Sequence, residues 1–116
     1  MCEMEHNMKL HSTPFEKIKS GAKTYELRLY DEKRAALQAG DIIRFTNCES
    51  GEELCVRVVA LHRFFDFRAL YAALPLLKCG YTDADIATAS PADMEAFYSA
   101  EEQSLYGVVG IEIELI

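Results

Sequence analysis

The most constraining feature of the sequence is a regular alternation of apolar and polar side chains shortly after Gly21. Two interleaved sets make up this alternation, namely Tyr25, Leu27 and Leu29 on one side and Thr24, Glu26 and Arg28 on the other. Because successive side chains of a strand point to opposite faces, the alternation predicts a strand over residues 23–29 with one apolar and one charged face. A carboxylate and a guanidinium on one face, with Lys23 at the start of the strand, suit a polar or anionic ligand.

The remainder of the chain reads as short strands separated by short helices. Further strands are predicted over residues 8–11, 42–46, 54–61 and 109–115, and a turn at Ser50-Gly51 makes a hairpin of the second and third of these. Helix starts are predicted at the capping residues Thr13, Asp31, Asp66, Ser90 and Ser99. Five strands without a βαβ rhythm favour a single α+β domain over residues 1–116. Curling such a sheet into a small closed or nearly closed barrel would remove its exposed edges.

The charge of the chain is unevenly distributed. The net charge is −7, which excludes a protein that binds nucleic acid through its whole surface. Residues 1–70 contain eleven basic and eleven acidic residues, whereas residues 71–116 contain one basic residue and eight acidic ones. The first part can therefore carry a local basic patch, while the second part repels phosphate.

The four cysteines and three histidines lack the spacing of a metal site. A zinc site formed by Cys2, His6 and His11 is disfavoured because chain termini make poor ligand frames, and no metal or cofactor is expected. Cys48 and Cys55 can face each other across the predicted hairpin, although free thiols are the stronger expectation. No apolar run is long enough to span a bilayer, and the first residues do not resemble a secretion signal. We therefore expect a cytoplasmic monomer that does not bind membranes.

Three groups of residues together resemble the ASCH domain family, a relative of the PUA fold. They are the run Phe15, Ile18, Gly21, Lys23, Thr24, Glu26 and Arg28, the pair Gly40-Asp41, and the late Tyr106-Gly107-Val108. The resemblance covers residues 8–115 and is to the small single-domain members of bacterial type. It implies a β-barrel of about five to six strands with short flanking helices and a cleft lined by the strand from Lys23 to Arg28. The family is linked to RNA binding and RNA metabolism.

The leading hypothesis is a protein that binds RNA, a nucleotide or a nucleoside in this cleft. The predicted ligand-binding residues are the charged residues of the strand and the basic residues that follow it, namely Lys23, Glu26, Arg28, Lys33, Arg34 and Arg44. The candidates for stacking on a base are Tyr25, Tyr30 and Phe45. The structural alternative is an ion pair between Glu26 and Arg28 that only stabilises the strand.

Two other functions are compatible with the sequence. Some small bacterial members of the family resemble amidohydrolases that act on acetylated cytidine, and this resemblance makes Lys23 and Glu26 the candidate catalytic residues. In those members a threonine further along the strand and a glutamate from a later segment assist the lysine. Glu26 stands where that threonine is expected, and the later glutamate is one of Glu95, Glu101 and Glu102. The third hypothesis is a protein-interaction module whose acidic second half contacts a partner.

Overall fold

The computed structural model describes residues 4–116, which contain one curled sheet of five strands. The strands are β1 (Glu5–Leu10), β2 (Tyr25–Leu29), β3 (Ile42–Asn47), β4 (Glu53–Phe64) and β5 (Val108–Leu115). Their order in the sheet is β1-β3-β4-β5-β2, with β1 and β3 parallel and the other neighbours antiparallel. The antiparallel pair of β3 and β4 confirms the predicted hairpin.

Short helices flank the sheet in the part of the chain that the structure describes. They are α1 (Ser12–Lys19), α2 (Glu32–Ala35), α3 (Phe67–Ala73), α4 (Ala92–Glu95) and α5 (Ala100–Tyr106). Two 3₁₀ turns lie between α3 and α4, at Leu76–Lys78 and Ile86–Thr88. The predicted α+β class, with five strands and short flanking helices, is confirmed.

Three of the five predicted helix caps are present. The side chains of Asp31, Asp66 and Ser99 accept hydrogen bonds from backbone N–H groups in the first turns of α2, α3 and α5, at 3.1, 2.9 and 3.1 Å. The prediction at Thr13 is wrong, because α1 begins at Ser12 with His11 as its N-cap. The N–H of Ser12 donates to Glu49 in the β3–β4 turn, and its hydroxyl donates to Asn47 at the end of β3. The prediction at Ser90 is wrong by one residue, since Pro91 is the N-cap of α4.

The sheet is a half-barrel rather than a closed barrel, because β1 and β2 are its two ends and do not pair with each other. The ends nevertheless approach, since Nη2 of Arg28 on β2 donates a 3.0 Å hydrogen bond to the carbonyl oxygen of Lys9 on β1. A side chain therefore spans the gap that a further pair of backbone hydrogen bonds would have closed. The predicted small barrel, closed or nearly closed, is thus present as a curled half-barrel of five strands.

Apolar side chains cover both faces of the sheet. On one face, Phe15 and Ile18 of α1 pack in one buried cluster with sheet residues that include Ile43, Phe45, Val56 and Ile111. On the other face, Phe67 and Leu70 of α3 pack with Leu27, Leu29 and Val108. Residues directly opposite each other on antiparallel strands point to the same face, so Glu26 and Arg28 lie on the α1 face beside Ile111 and Val109. This register buries the charged face of β2 instead of exposing it to water.

The predicted apolar face of β2 is buried at Leu27, and two apolar side chains of β5 are buried as well. Leu27, Ile111 and Ile113 are 7%, 0% and 4% exposed. No helix in the described part of the chain is both long enough and apolar enough to cross a membrane.

Candidate functional site

A cavity of about 460 Å³ lies at the gap between the two ends of the sheet. Its lining comes from two parts of the chain. The first part, which we call the sheet wall, consists of side chains between residues 9 and 28, from β1, α1 and β2. The second part, which we call the helical wall, consists of side chains between residues 71 and 98, from α3 to the turn that follows α4.

The sheet wall contains a buried cluster of three charged side chains, Lys23, Glu26 and Arg28, which we call the ion cluster. Nζ of Lys23 lies 2.9 Å from Oε1 of Glu26, and Nε of Arg28 lies 2.8 Å from Oε2 of the same carboxylate. The side chains of Lys23, Glu26 and Arg28 are 10%, 5% and 15% exposed. One carboxylate therefore bridges two cations, each bonded to a different oxygen.

The two cations keep Glu26 ionised. Burial alone would raise the pKa of Glu26, because a carboxylate loses its hydration in the protein interior. The charges and hydrogen bonds of Lys23 and Arg28 outweigh burial, so the pKa of Glu26 lies below its ordinary value. Burial likewise opposes the charge on Arg28, and attraction to Glu26 raises the pKa of the guanidinium above its ordinary value. With two basic side chains and one carboxylate, the ion cluster has a formal net charge of +1.

Lys23 is positioned by backbone contacts rather than by β2, which begins at Tyr25. Its N–H donates to the carbonyl of Lys17 in α1, and Nζ of Lys17 donates in turn to the carbonyl of Gly80, at 3.0 and 2.6 Å. Gly80 has a φ of +114°, and a Cβ atom there would meet Cδ of Lys23 at 3.4 Å. Glycine at this position permits the turn and leaves room for the lysine side chain.

The helical wall contains a chain of hydrogen bonds between three polar side chains. The hydroxyl of Tyr81 donates to Oδ2 of Asp93 at 2.6 Å, and the hydroxyls of Tyr71 and Tyr81 are 2.7 Å apart. Two aromatic rings extend this wall, because Phe97 and Tyr98 also line the cavity. Tyr98 stacks on Phe67 with ring centroids 5.7 Å apart, whereas Phe97 is 67% exposed.

Comparison with known proteins identifies the family. The family model of the ASCH domain matches residues 8–116. The chain belongs to the ASCH domain family. Two solved structures are similar over nearly their full lengths. The hypothetical protein PH0355 is 35% identical, with 97% of this chain and 100% of that chain covered and a TM-score of 0.81. The protein PF0455 from Pyrococcus furiosus is 36% identical, with 97% and 98% covered and a TM-score of 0.75.

More distant ASCH structures share the fold. The ASCH protein from Zymomonas mobilis is 12% identical, with 95% of this chain and 66% of that chain covered and a TM-score of 0.68. The ASCH domain from Lactobacillus crispatus is 14% identical, with 97% and 79% covered and a TM-score of 0.64. No curated protein matches the chain. The resemblance stated from the sequence is therefore confirmed for family and fold.

The structure brings together only part of the ligand-binding set that the ASCH resemblance suggested. Lys23, Glu26 and Arg28 line the cavity, whereas Lys33, Arg34 and Arg44 do not. Arg34 pairs with Asp31 at 3.1 Å. Arg44 lies on β3, where it pairs with Glu5 at 2.7 Å and with Glu53 at 3.7 Å.

The aromatic residues proposed for base stacking also lie outside the cavity lining. Phe45 is fully buried in the core, and the ring of Tyr30 packs under the guanidinium of Arg63 at 4.0 Å. Tyr25 contacts the ring of His62 at a centroid distance of 5.7 Å. The aromatic rings that line the cavity come from the helical wall, at Tyr71, Tyr81, Phe97 and Tyr98, none of which the sequence singled out as a site residue.

The acidic residues of the cavity also differ from the expected ones. Glu95, Glu101 and Glu102 are absent from the cavity lining, and Glu102 is engaged in the capping box of α5. Thr24, the hydroxyl-bearing residue next to Lys23, is also absent from the cavity lining. It lines a separate, smaller depression beside Ile113. The late segment instead contributes Asp85 and Asp93. The sequence signal that could have found Asp93 is its place after Ser90-Pro91, where an acidic residue commonly starts a helix.

The histidines make ordinary side-chain contacts. His6 is hydrogen-bonded to Asp41 at 2.9 Å, and Nδ1 of His11 is 3.6 Å from Sγ of Cys48. Within residues 4–116, no group of three or more His, Cys, Asp or Glu side chains is arranged to hold a metal ion. Cys2, the remaining member of the zinc site considered from the sequence, lies outside the described residues. Cys48 and Cys55 are free thiols, and Cys55 lies opposite Arg44 in the hairpin.

Proposed function

We propose that this ASCH domain binds a single nucleotide, free or at the end of an RNA, with its phosphate on the ion cluster. The observation that carries the proposal is the ratio of two cations to one carboxylate in a buried cluster that lines a cavity. One positive charge of the cluster is uncompensated. In a site with little water, this charge attracts an anion more strongly than an exposed lysine or arginine does.

Hydrogen-bond donors remain for a phosphate after the internal bonds are counted. A guanidinium has five N–H donors, and Arg28 uses one on Nε for Glu26 and one on Nη2 for the Lys9 carbonyl. An ammonium has three donors, and Lys23 uses one for Glu26. The remaining N–H groups of Arg28 can form the paired bonds that phosphate oxygens accept, while Glu26 fixes the orientation of the guanidinium.

The size and lining of the cavity favour one nucleotide over an extended nucleic acid. Its volume of about 460 Å³ lies in the range of roughly 300–1,000 Å³ that is usual for small-molecule sites. Phe97 and Tyr98 offer ring faces on which a base can stack. Lys9 and Lys17 add positive charge to the sheet wall, so the local charge differs from the acidic total of the chain.

Amide hydrolysis is the weaker candidate for the same cavity. In that mechanism a hydroxyl three residues after the lysine takes part in proton transfer, and this chain has Glu26 there. A carboxylate whose pKa is held below its ordinary value accepts hydrogen bonds and does not donate a proton. Thr24, the nearest hydroxyl in sequence, does not line the cavity. Nucleotide binding therefore fits the cavity better than amide hydrolysis, because only hydrolysis needs a hydroxyl at the position of Glu26.

The proposal is tested by comparing AMP with adenosine in isothermal titration calorimetry. We expect AMP to bind roughly tenfold or more tightly, because hydrogen bonds to charged groups contribute about 1.5–3 kcal/mol and each 1.4 kcal/mol is tenfold. Arg28→Gln should remove most of this advantage. The matched control is Arg44→Gln, which makes the same charge change at an arginine outside the cavity lining.

Circular dichroism spectra establish that each variant is folded before affinities are compared. Failure of the wild-type protein to bind any nucleoside monophosphate would refute the proposal. An equal loss of AMP affinity in Arg28→Gln and Arg44→Gln would also refute it, since the effect would then come from net charge alone. Such an equal loss would mean that the phosphate does not bind at the ion cluster.

A further inference from the structure

The direction of the hydrogen bonds in the helical wall is fixed by the number of protons available. Tyr81 has one hydroxyl proton and donates it to Oδ2 of Asp93. The 2.7 Å contact between Tyr71 and Tyr81 therefore requires Tyr71 to donate to the oxygen of Tyr81. Both tyrosine protons point along the chain toward Asp93, and neither is free to point into the cavity.

Because both hydroxyl protons are used, Tyr71, Tyr81 and Asp93 can offer a ligand hydrogen-bond acceptors but no donor. The oxygen of Tyr71 keeps its lone pairs after donating its proton. In the described part of the protein, Oδ1 of Asp93 receives no hydrogen bond, whereas Oδ2 accepts from Tyr81 and from the N–H of Ser90 at 2.6 and 3.2 Å. Burial and the two hydrogen bonds raise the pKa of Tyr81, so its proton stays in place over the ordinary pH range. The sheet wall presents N–H donors, and this part of the helical wall presents acceptors.

Building on the nucleotide site proposed above, we infer that Tyr71, Tyr81 and Asp93 determine its specificity by accepting a hydrogen bond from an N–H or O–H group of the nucleotide. The ligand then carries an anion at one end, for the ion cluster, and a donor group elsewhere. A base with an exocyclic amine supplies such a donor, and so does a ribose hydroxyl. A carbonyl in the same place would face the lone pairs of the half-buried Tyr71 and Tyr81 and of the exposed Asp93, and would gain no hydrogen bond from them.

The helical wall is held in advance of ligand binding. Tyr71 belongs to α3, Tyr81 follows the first 3₁₀ turn, and Asp93 belongs to α4, so their hydrogen bonds join three separate elements. The rings of Tyr71 and Tyr81 also meet edge to face, with centroids 5.9 Å apart and planes at 80°. Acceptors fixed in this way lose little entropy when a ligand binds, and this favours discrimination between similar ligands.

The test compares the affinities of AMP, IMP and 2′-deoxy-AMP by isothermal titration calorimetry. AMP and IMP differ in the amine that IMP replaces with a carbonyl, and AMP and 2′-deoxy-AMP differ in one hydroxyl. We expect one of the two analogues to bind roughly tenfold or more weakly than AMP, because a hydrogen bond to a charged group is lost. The analogue that loses affinity shows whether the amine or the 2′-hydroxyl donates the hydrogen bond to the helical wall.

Two variants assign this preference to the wall. Tyr81→Phe frees the proton of Tyr71, and Asp93→Asn replaces an acceptor oxygen with an NH₂ donor, so both should reduce the preference to less than about threefold. The matched controls are Tyr106→Phe and Asp83→Asn, which make the same changes outside the cavity lining and should leave the preference intact.

The outcomes separate this inference from the function on which it rests. If wild-type protein binds no nucleotide, the proposed function and this inference both fail. If AMP and both analogues bind equally, the nucleotide site stands and the inference is refuted. The inference is also refuted if a preference exists but survives unchanged in both Tyr81→Phe and Asp93→Asn.

Discussion

Replacing Glu26 with glutamine tests whether the ion cluster is held together by its single carboxylate. Glu26 is the only acidic member of the cluster, its side chain is 5% exposed, and each of its oxygens is bonded to a different cation. Glutamine has nearly the same shape, so packing is preserved. Its one oxygen can accept from either Lys23 or Arg28, while its NH₂ group faces the other donor.

The expected loss of stability is large. Removing one partner of a buried ion pair costs about 3–5 kcal/mol, because the remaining charge stays buried without compensation. Lys23 and Arg28 are 10% and 15% exposed, so water can screen them only slightly. A domain of this length has a free energy of unfolding of roughly 6–17 kcal/mol. The variant should therefore still fold, so that the decrease in its free energy of unfolding can be measured at equilibrium.

Urea unfolding followed by circular dichroism gives the free energies of both proteins, since the chain has no tryptophan. The matched control is Glu52→Gln, which breaks an ion pair with Lys19 in which the two side chains are 43% and 48% exposed. An exposed pair contributes little, so this control should stay close to wild type. A loss at pH 7 of less than about 1 kcal/mol in Glu26→Gln, or a loss equal to that of the control, would contradict the reasoning.

The pH dependence of the difference provides a second check. The pKa of Glu26 is lowered in the folded protein from an ordinary value of 4.5. Its stabilising effect is therefore fully present above about pH 4.5 and is lost as the pH falls through the lower, folded-state pKa. The difference in free energy of unfolding between wild type and Glu26→Gln should become smaller below that pH. A difference that stayed constant down to acid unfolding would mean that the charge of Glu26 does not matter.

Two further predictions concern packing and thiol reactivity. A Cβ atom at Gly110 would collide with Cδ1 of Leu74, the end of a flexible side chain that can shift. Gly110→Ala should therefore destabilise the fold by only about 1 kcal/mol in thermal unfolding, and adding Leu74→Ala should remove the clash. Burial, opposed by the nearby charge of Lys23, raises the pKa of Cys79 to about 11. At pH 8 Cys79 should therefore react with a disulfide reagent much more slowly than the exposed Cys48, as Cys79→Ala and Cys48→Ala variants would show.

The shared face of Glu26 and Arg28 on β2, and two of the helix caps, could be predicted from the sequence because their signals are local. The alternation along β2 assigns Glu26 and Arg28 to one face, and the caps at Asp31 and Asp66 depend on residues three positions apart in the chain. What the alternation does not reveal is that this charged face is buried. Burial follows from the pairing of β2 with β5, in which Glu26 lies opposite Ile111, and residues so distant in the chain carry no shared local pattern.

The helical wall could not be anticipated for the same reason. Tyr71, Tyr81 and Asp93 are separated by ten and twelve positions and lie on different elements, so no helix or strand period connects them. Arg44 shows the converse, because its charge and its closeness in sequence to β2 favoured a ligand contact. It lies on β3, three strands away from β2 in the sheet, and does not line the cavity. The cytoplasmic location, the monomeric state and the protein-interaction hypothesis stay predictions.

The two-to-one composition of the ion cluster reconciles the stability of the fold with the anion binding that we propose. Two buried cations without a carboxylate would repel each other and destabilise the fold, and two cations with two carboxylates would leave no charge for a ligand. With Glu26 alone between them, Lys23 and Arg28 can be buried while one positive charge stays uncompensated. The same guanidinium also bonds to the carbonyl of Lys9 across the open end of the half-barrel. The gap in the sheet that prevents closure is thus the place where a charged side chain can satisfy the backbone of one edge strand and still present donors to a ligand.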